Sequence, residues 1–164
     1  MSVLNSQYDL IRQTRERLFL YCERISPEDY VKELEQVGWG SIRNLHAHIA
    51  GCYQAWLGRY ALEWDAPVVK GEEIAGLPEM KALFKEVDAL VETFLKTFGD
   101  RPGELLRRPL PGHEVPEVLS VLWLFTQTIT HEFHHKGQIV QIGRQLGYVP
   151  IDTDLITPDD MVRL

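Results

Sequence analysis

Four long stretches of the chain repeat apolar residues at intervals of three and four positions, which is the spacing of one face of an α-helix. They run from about 4 to 23, from 41 to 62, from 78 to 98, and from 116–117 to 146, where Gly147 stops the last one. Four amphipathic helices bury their apolar faces by packing against one another. The sequence therefore predicts an all-α fold, a four-helix bundle, whose interior is a common place for metal sites.

The segments between these stretches predict short extra elements. Ser26–Asp29 reads S-P-E-D, which is typical of a helix start, and the short helix that it opens is expected to stop near Gly38. Residues 67–78 are predicted to be a loop. Residues 104–114 hold too much proline for a helix and are expected to contain a short irregular strand, within a long connection between the third and fourth helices.

The composition is that of an ordinary globular protein and excludes several classes of function. At 164 residues, with 45% hydrophobic and 25% charged residues, the chain is expected to form one domain over 1–164. Seventeen basic against 24 acidic residues give a net charge of −7, which argues against nucleic acid as a main partner. No stretch approaches about 20 uninterrupted apolar residues, so no membrane span is expected.

The cysteines and the N-terminus indicate the compartment. Cys22 and Cys52 lie in helical apolar patterns, where a free thiol usually serves as a small core residue. The first residues show no secretory signal. A reducing cytoplasm is therefore expected. The tryptophans are expected in the core or at an interface, and they are Trp39, Trp56, Trp64 and Trp123.

The histidines carry the strongest indication of chemistry. His131 and His135 are four residues apart on the fourth predicted helix and share its inward face, so both imidazoles can bind one metal ion. His48, on the inward face of the second long helix, is predicted to be the third ligand. His46 and His134 are expected to point elsewhere. Three histidines with free positions left for water or substrate are typical of an open, catalytic type of metal site.

The string His131-Glu132-Phe133-His134-His135 also matches the H-E-x-x-H motif of zinc proteases, in which the glutamate is the general base. Only 29 residues follow it, without a strand pattern or a further protease motif, so peptide hydrolysis is disfavoured. Glu132 is then either an acid or base beside the site or an ordinary structural or solvated residue. Gln138, one turn beyond His135, is a candidate for orienting a ligand or a substrate.

Two motifs of the chain resemble those of the DinB/YfiT-like family of metal-dependent proteins. Ser41–Ala50 is similar to the first motif, and His131–Ile139, with a basic residue, glycine and glutamine after the double histidine, is similar to the second. The ending 144–154 is similar as well. His46 departs from the pattern, because the family usually has an apolar residue there. The resemblance covers nearly the whole chain and places the family's metal ligands on His48, His131 and His135.

The resemblance implies an up-down-down-up bundle, usually a homodimer, that holds a divalent metal, most often nickel or zinc. Relatives include transferases and isomerases that use low-molecular-weight thiols such as bacillithiol or mycothiol. The leading hypothesis is a metal-dependent enzyme that activates such a thiol for attack on a small electrophile. A metal-dependent hydrolase of small molecules is the alternative within the enzymes, and a metal-binding stress-response protein without turnover is the alternative outside them.

Overall fold

The structure is a computed structural model that describes residues 2–65, 68–110, 113 and 115–155. Parts of three predictions lie outside these residues. They are the start of the loop at Pro67, three positions in the proline-rich segment (111, 112 and 114), and both ends of the predicted domain.

Four long helices form the bundle that the sequence predicts. In the described residues α3 packs on α4 and α5, and α1 also packs on α4 and α5. The elements in chain order are α1 (Val3–Cys22), α2 (Pro27–Val31), α3 (Ile42–Tyr53), a π-helical continuation (Gln54–Ala61), a 3-10 turn (Gly71–Glu73), α4 (Leu77–Phe98), β1 (Leu105–Pro109), β2 (Pro116–Ser120) and α5 (Val121–Gln145).

The predicted start of the last helix is wrong by about five residues. Pro116–Ser120 is not helical but forms β2, which pairs antiparallel with β1 from Leu105↔Ser120 to Pro109↔Pro116. The hydroxyl of Tyr60 lies 2.8 Å and 2.9 Å from the carbonyl oxygens of Leu106 and Glu117, which fastens this hairpin to the bundle. The strand predicted within 104–114 is thus confirmed, and its partner takes the residues that were assigned to the helix start.

Two further boundaries differ from the sequence prediction. The short helix α2 ends at Val31 and not near Gly38, and Trp39 and Gly40 then take left-handed backbone angles with φ of 68° and 76°. The second long helix spans the predicted residues, but its last eight, Gln54–Ala61, are π-helical. Such wider turns are rare in proteins overall, and those that do occur often lie at functional sites.

The core is continuous through the four helices, and both cysteines are buried free thiols, as predicted, although only Cys22 belongs to this continuous core. Three of the four tryptophans do not lie in the core, which was one of the two places predicted for them. Trp39, Trp64 and Trp123 are 55%, 43% and 42% exposed. Only Trp56, which is partly buried, packs against the core. Apolar spacing alone therefore overstated how deeply the indoles are buried.

Two glycines of α5 allow the packing of its C-terminal half to be tested. A Cβ on Gly143 would lie 2.0 Å from the hydroxyl oxygen of the fully buried Tyr21, whereas a Cβ on the exposed Gly137 would meet nothing within 4 Å. We expect Gly143→Ala to lower the free energy of unfolding by about 1–3 kcal/mol, because the overpacking exceeds the gain in helix propensity.

Gly137→Ala is the matched control and should raise the free energy of unfolding by up to about 1 kcal/mol, since only helix propensity changes. Urea denaturation followed by circular dichroism measures both variants. Equal effects of the two substitutions would show that α1 and α5 are not in close contact at Tyr21.

Candidate metal centre

Three histidines from two packed helices bring their ring nitrogens together. His48 comes from α3, and His131 and His135 lie one turn apart on α5. Nε2 of His131 is 3.0 Å from Nε2 of His48 and 3.1 Å from Nε2 of His135. One ligand atom from each of the three lies within 4.8 Å of the others. The set is the one that the sequence predicts.

The donor set fits a divalent metal ion. Two nitrogens bound to one zinc ion at about 2.0–2.1 Å lie roughly 3.3 Å apart in a tetrahedron, so the observed separations need little change. Neutral imidazoles offer too few protons to place a hydrogen bond between every pair of these nitrogens. Nδ1 of His131 is also buried without a hydrogen-bond partner among the described residues. A cation between the lone pairs would relieve their repulsion, and imidazole is a good ligand for zinc, nickel, copper and iron.

The histidines are held in the neutral form that binds metals. Burial, followed by the neighbouring His135, lowers the pKa of His48 to about 4. Burial and the other imidazoles lower the pKa of His131 to about 4 as well, and burial lowers the pKa of His135. Since a metal and a proton compete for the same nitrogen, the three side chains are available as ligands at neutral pH.

Gln138 orients one of the three rings. Its Oε1 lies 2.7 Å from Nδ1 of His135. An amide oxygen only accepts hydrogen bonds, so the proton of His135 must be on Nδ1, which leaves Nε2 free to face the other two histidines. Partners of this kind fix the tautomer and the orientation of metal-binding histidines. Gln138 is therefore placed to support the site through His135.

The other two histidines of the motifs lie outside the set of three. His46 is fully buried between Phe19 and Tyr30, and its Nδ1 lies 3.1 Å from the hydroxyl of Tyr30. Burial lowers the pKa of His46 to about 3, so it is neutral there. His134 is exposed beside His135.

Glu132 lies in a buried ion pair between α5 and α1. Nε and Nη2 of Arg15 donate to its two carboxylate oxygens at 2.7 Å and 3.0 Å, and the hydroxyl of Tyr53 donates to it at 2.6 Å. Arg15 and Glu132 are 3% and 5% exposed. Burial and the Glu132 carboxylate raise the pKa of Tyr53, so this hydroxyl remains a donor. Both carboxylate oxygens are thus bound by residues outside the three histidines.

The network extends to α4 and so joins all four long helices. Nη1 of Arg15 donates to Oδ1 of Asp88 at 2.6 Å, and the hydroxyl of Tyr8 donates to the same atom at 2.6 Å. Tyr8 and Tyr53 are buried core residues of this network. Arg15 and Asp88 were not singled out in the sequence. For Arg15, the only available signal in the sequence was its position on an apolar helix face.

A cavity of about 530 Å³ opens beside the histidines. Two of them, His48 and His131, face into it, and neither Glu132 nor Gln138 is among its lining residues. Its walls are mainly apolar and come from α3, from the turn before α3 and from the loop before α4. Those apolar residues are Trp39, Ala47, Gly51, Ala55, Trp56, Val68 and Val69.

Trp39 contacts a proposed metal ligand directly, which sequence reasoning missed. Its indole stacks on the His48 ring with 3.8 Å between the ring centroids and 22° between the planes. The residue lies outside the regular helices, so helical spacing gave no indication of the contact. Together with Gln138 on His135, this stacking means that two of the three ligands are oriented by neighbouring side chains.

Removal of one histidine is expected to abolish metal binding. In His48→Ala the metal content should fall from about one ion per chain to near zero, because two neighbouring imidazoles on one helix offer too few ligands for a divalent ion. The matched control is His134→Ala, which removes an exposed imidazole from the same turn and should keep the metal. Elemental analysis of protein purified without a histidine tag measures both, and a fully metallated His48→Ala protein would contradict the three-histidine assignment.

A substitution of Glu132 tests whether this residue supports the fold. Glu132→Gln should lower the free energy of unfolding by about 3 kcal/mol, because it leaves a buried Arg15 without its main counter-ion. The metal content should stay unchanged. Asp9→Asn is the control, since the exposed Asp9–Arg12 pair, 3.9 Å apart, contributes at most about 1 kcal/mol.

Urea denaturation and elemental analysis separate this role from the role of a catalytic base. Unchanged stability of Glu132→Gln combined with a loss of turnover would contradict the structural role.

One family model matches nearly the full length of the chain. It is described as the DinB family and covers residues 1–161. No curated protein was found to be similar. Within the described residues, none of the helices has the length and apolar character needed to cross a membrane. The chain therefore belongs to the DinB family, the one that its two histidine motifs resemble.

Proposed function

We propose that the protein is a metal-dependent enzyme that uses a low-molecular-weight thiol to attack a small electrophile. The observation that carries this proposal is the meeting of three neutral imidazoles, two of which line an apolar cavity of about 530 Å³. Three ligands leave positions for a further molecule, and the cavity has the size of a small-molecule site. A closed structural site would instead use a fourth side chain from the protein.

In this proposal the three histidines bind the metal, and the walls of the cavity bind the electrophile. His48, His131 and His135 would hold the ion, and because they are neutral they leave its positive charge uncompensated. A divalent ion bound there lowers the pKa of a thiol or a water molecule that joins it. The walls of the cavity hold the electrophile and limit the access of water, which favours the thiol over water as the attacking group.

The chain itself offers no ionised thiol for this reaction among its described residues. Cys52 lines the cavity, but burial raises its pKa to about 12, so the sulfur stays protonated at neutral pH. The nucleophile is therefore an external thiol. Its proton passes to solvent, its sulfur forms the new bond to carbon, and the leaving group departs with the electron pair of the broken bond.

The remaining parts of the proposal come from the family resemblance. They are nickel or zinc as the metal, a homodimer as the assembly, a small molecule as the substrate and the cytoplasm as the compartment. The two free, buried cysteines are compatible with a reducing compartment.

The proposal is tested by supplying the thiol and the electrophile together. Metal-stripped protein is reloaded with zinc or nickel and incubated with cysteine or bacillithiol and chlorodinitrobenzene. We expect equal consumption of thiol and electrophile only with metal present. His48→Ala should lose more activity than the roughly 10–100-fold that removal of an outer partner of a metal ligand costs.

The alternative functions give different results in the same assay. Release of product from a phenyl ester without any thiol would identify a metal-dependent hydrolase. Absence of both reactions at saturating metal would identify a metal-binding protein without turnover. Either result would overturn the thiol-transfer proposal.

A further inference from the structure

Apart from an ion on the histidines, the described side chains that line the cavity carry almost no net charge. Two of them are charged, Lys70 and Glu72; they have opposite signs and both are exposed. Its other polar side chains outside the histidines, Asn44 and Gln127, are uncharged amides. A site for a charged group would instead hold an unbalanced charge of the opposite sign, placed for a paired hydrogen bond. The walls therefore favour a neutral molecule.

One wall of the cavity is a strip of small residues along α3 and its π-helical continuation. Ala47, Gly51 and Ala55 follow one another at intervals of four residues, and all three line the cavity. Their small side chains leave the helix surface open to the cavity. A Cβ built on Gly51 would meet nothing within 4 Å, which shows that the space above this glycine is free.

Two indoles add large flat surfaces to the same cavity. Trp39 lies at the level of His48, on which it stacks, and Trp56 lies eight residues beyond His48, in the π-helical continuation of α3. Trp56 is itself held at right angles against Trp123, with 5.2 Å between the ring centroids. Aromatic rings pair well with other flat rings in stacked or edge-to-face contacts.

The backbone at Trp39 is strained. A φ of 68° is unusual for a bulky side chain and is energetically unfavourable. More than half of Trp39 is exposed, so burial in the core does not explain this conformation. Its contacts are with His48 and with the cavity, and strained residues of this kind are concentrated at ligand sites.

From the two indoles, the small-residue strip and the balanced charges, we infer that the electrophile is an uncharged, largely apolar molecule with a flat aromatic or unsaturated group. We further infer that Gly51 sets the size of the molecule that fits. This inference rests on the proposed function, because it names the substrate class of that same site.

The inference is tested by the binding of naphthol, an uncharged flat molecule, to zinc-loaded protein without any thiol. Isothermal titration calorimetry should show binding to the wild type and at least about tenfold weaker binding to Gly51→Leu, because the new side chain occupies the space of the ligand. Gly137→Leu is the matched control, since its glycine also faces open space but lies on the exposed side of α5. It should bind naphthol as the wild type does.

Two further measurements keep the test decisive. Gly51→Ala replaces the leucine variant if that variant does not fold. It adds a single methyl group and favours the helix, and it should weaken naphthol binding by a smaller factor than is expected for leucine. In metal-stripped wild type, where no ion attracts an anion, naphthalene sulfonate, a charged molecule of similar shape, should bind at least about tenfold more weakly than naphthol. Elemental analysis must show the same zinc content in every variant.

The possible failures can be told apart. Equal naphthol affinity in Gly51→Leu and the wild type, or tighter binding of the sulfonate, would overturn the substrate class while leaving metal-dependent thiol consumption untouched. Absence of thiol consumption would overturn the proposed function, whereas the binding measurement, which involves no turnover, would still decide whether this cavity accepts an apolar flat ligand.

Discussion

The buried ion pair between Arg15 and Glu132 is the interaction on which the arrangement of the bundle depends. Two charges that are nearly inaccessible to water must satisfy each other and their remaining hydrogen-bonding groups, or the desolvation cost is not recovered. The partners that do so are Tyr53 on α3 and Asp88 on α4, so one network spans all four long helices. Sliding any helix along its axis would break a charged contact. The network thereby fixes the position of α3 along its axis relative to α5.

The axial position of α3 relative to α5 decides whether the three histidines of the proposed metal site meet. Tyr53 lies five residues beyond His48 on α3, and Glu132 directly follows His131 on α5, so the hydrogen bond between Tyr53 and Glu132 lies within about one turn of the histidines. Neighbouring residues on a helix point about 100° apart. Glu132 therefore faces the buried network while His131 faces α3. The carboxylate that a protease would use as a base is engaged on both oxygens by Arg15 and Tyr53.

The sequence predicted those features that depend on local spacing. The four helices and the three histidines follow from periods of three and four residues. The helices were found in the expected parts of the chain, apart from the start of the last one, and the three histidines lie together. The hairpin was missed because Pro116 and Glu117 also suit a helix start, whereas the pairing with β1 and the contact with Tyr60 depend on residues far away in sequence. The partners Arg15 and Glu132 are 117 residues apart, and the Trp39 contact depends on a left-handed backbone that no spacing rule predicts.

The three histidines differ in how the protein holds them, and this difference bears on what a metal would contribute. Stacking on Trp39 orients His48, and a hydrogen bond to Gln138 orients His135. His131 has neither, because its Nδ1 is buried without a partner in the described part of the chain, while its Nε2 faces two other nitrogens at 3.0 Å and 3.1 Å. Most of the stabilisation of this ring would come from the ion itself. Binding of the proposed metal is therefore coupled to the free energy of folding, since an ion that binds only the folded chain stabilises it.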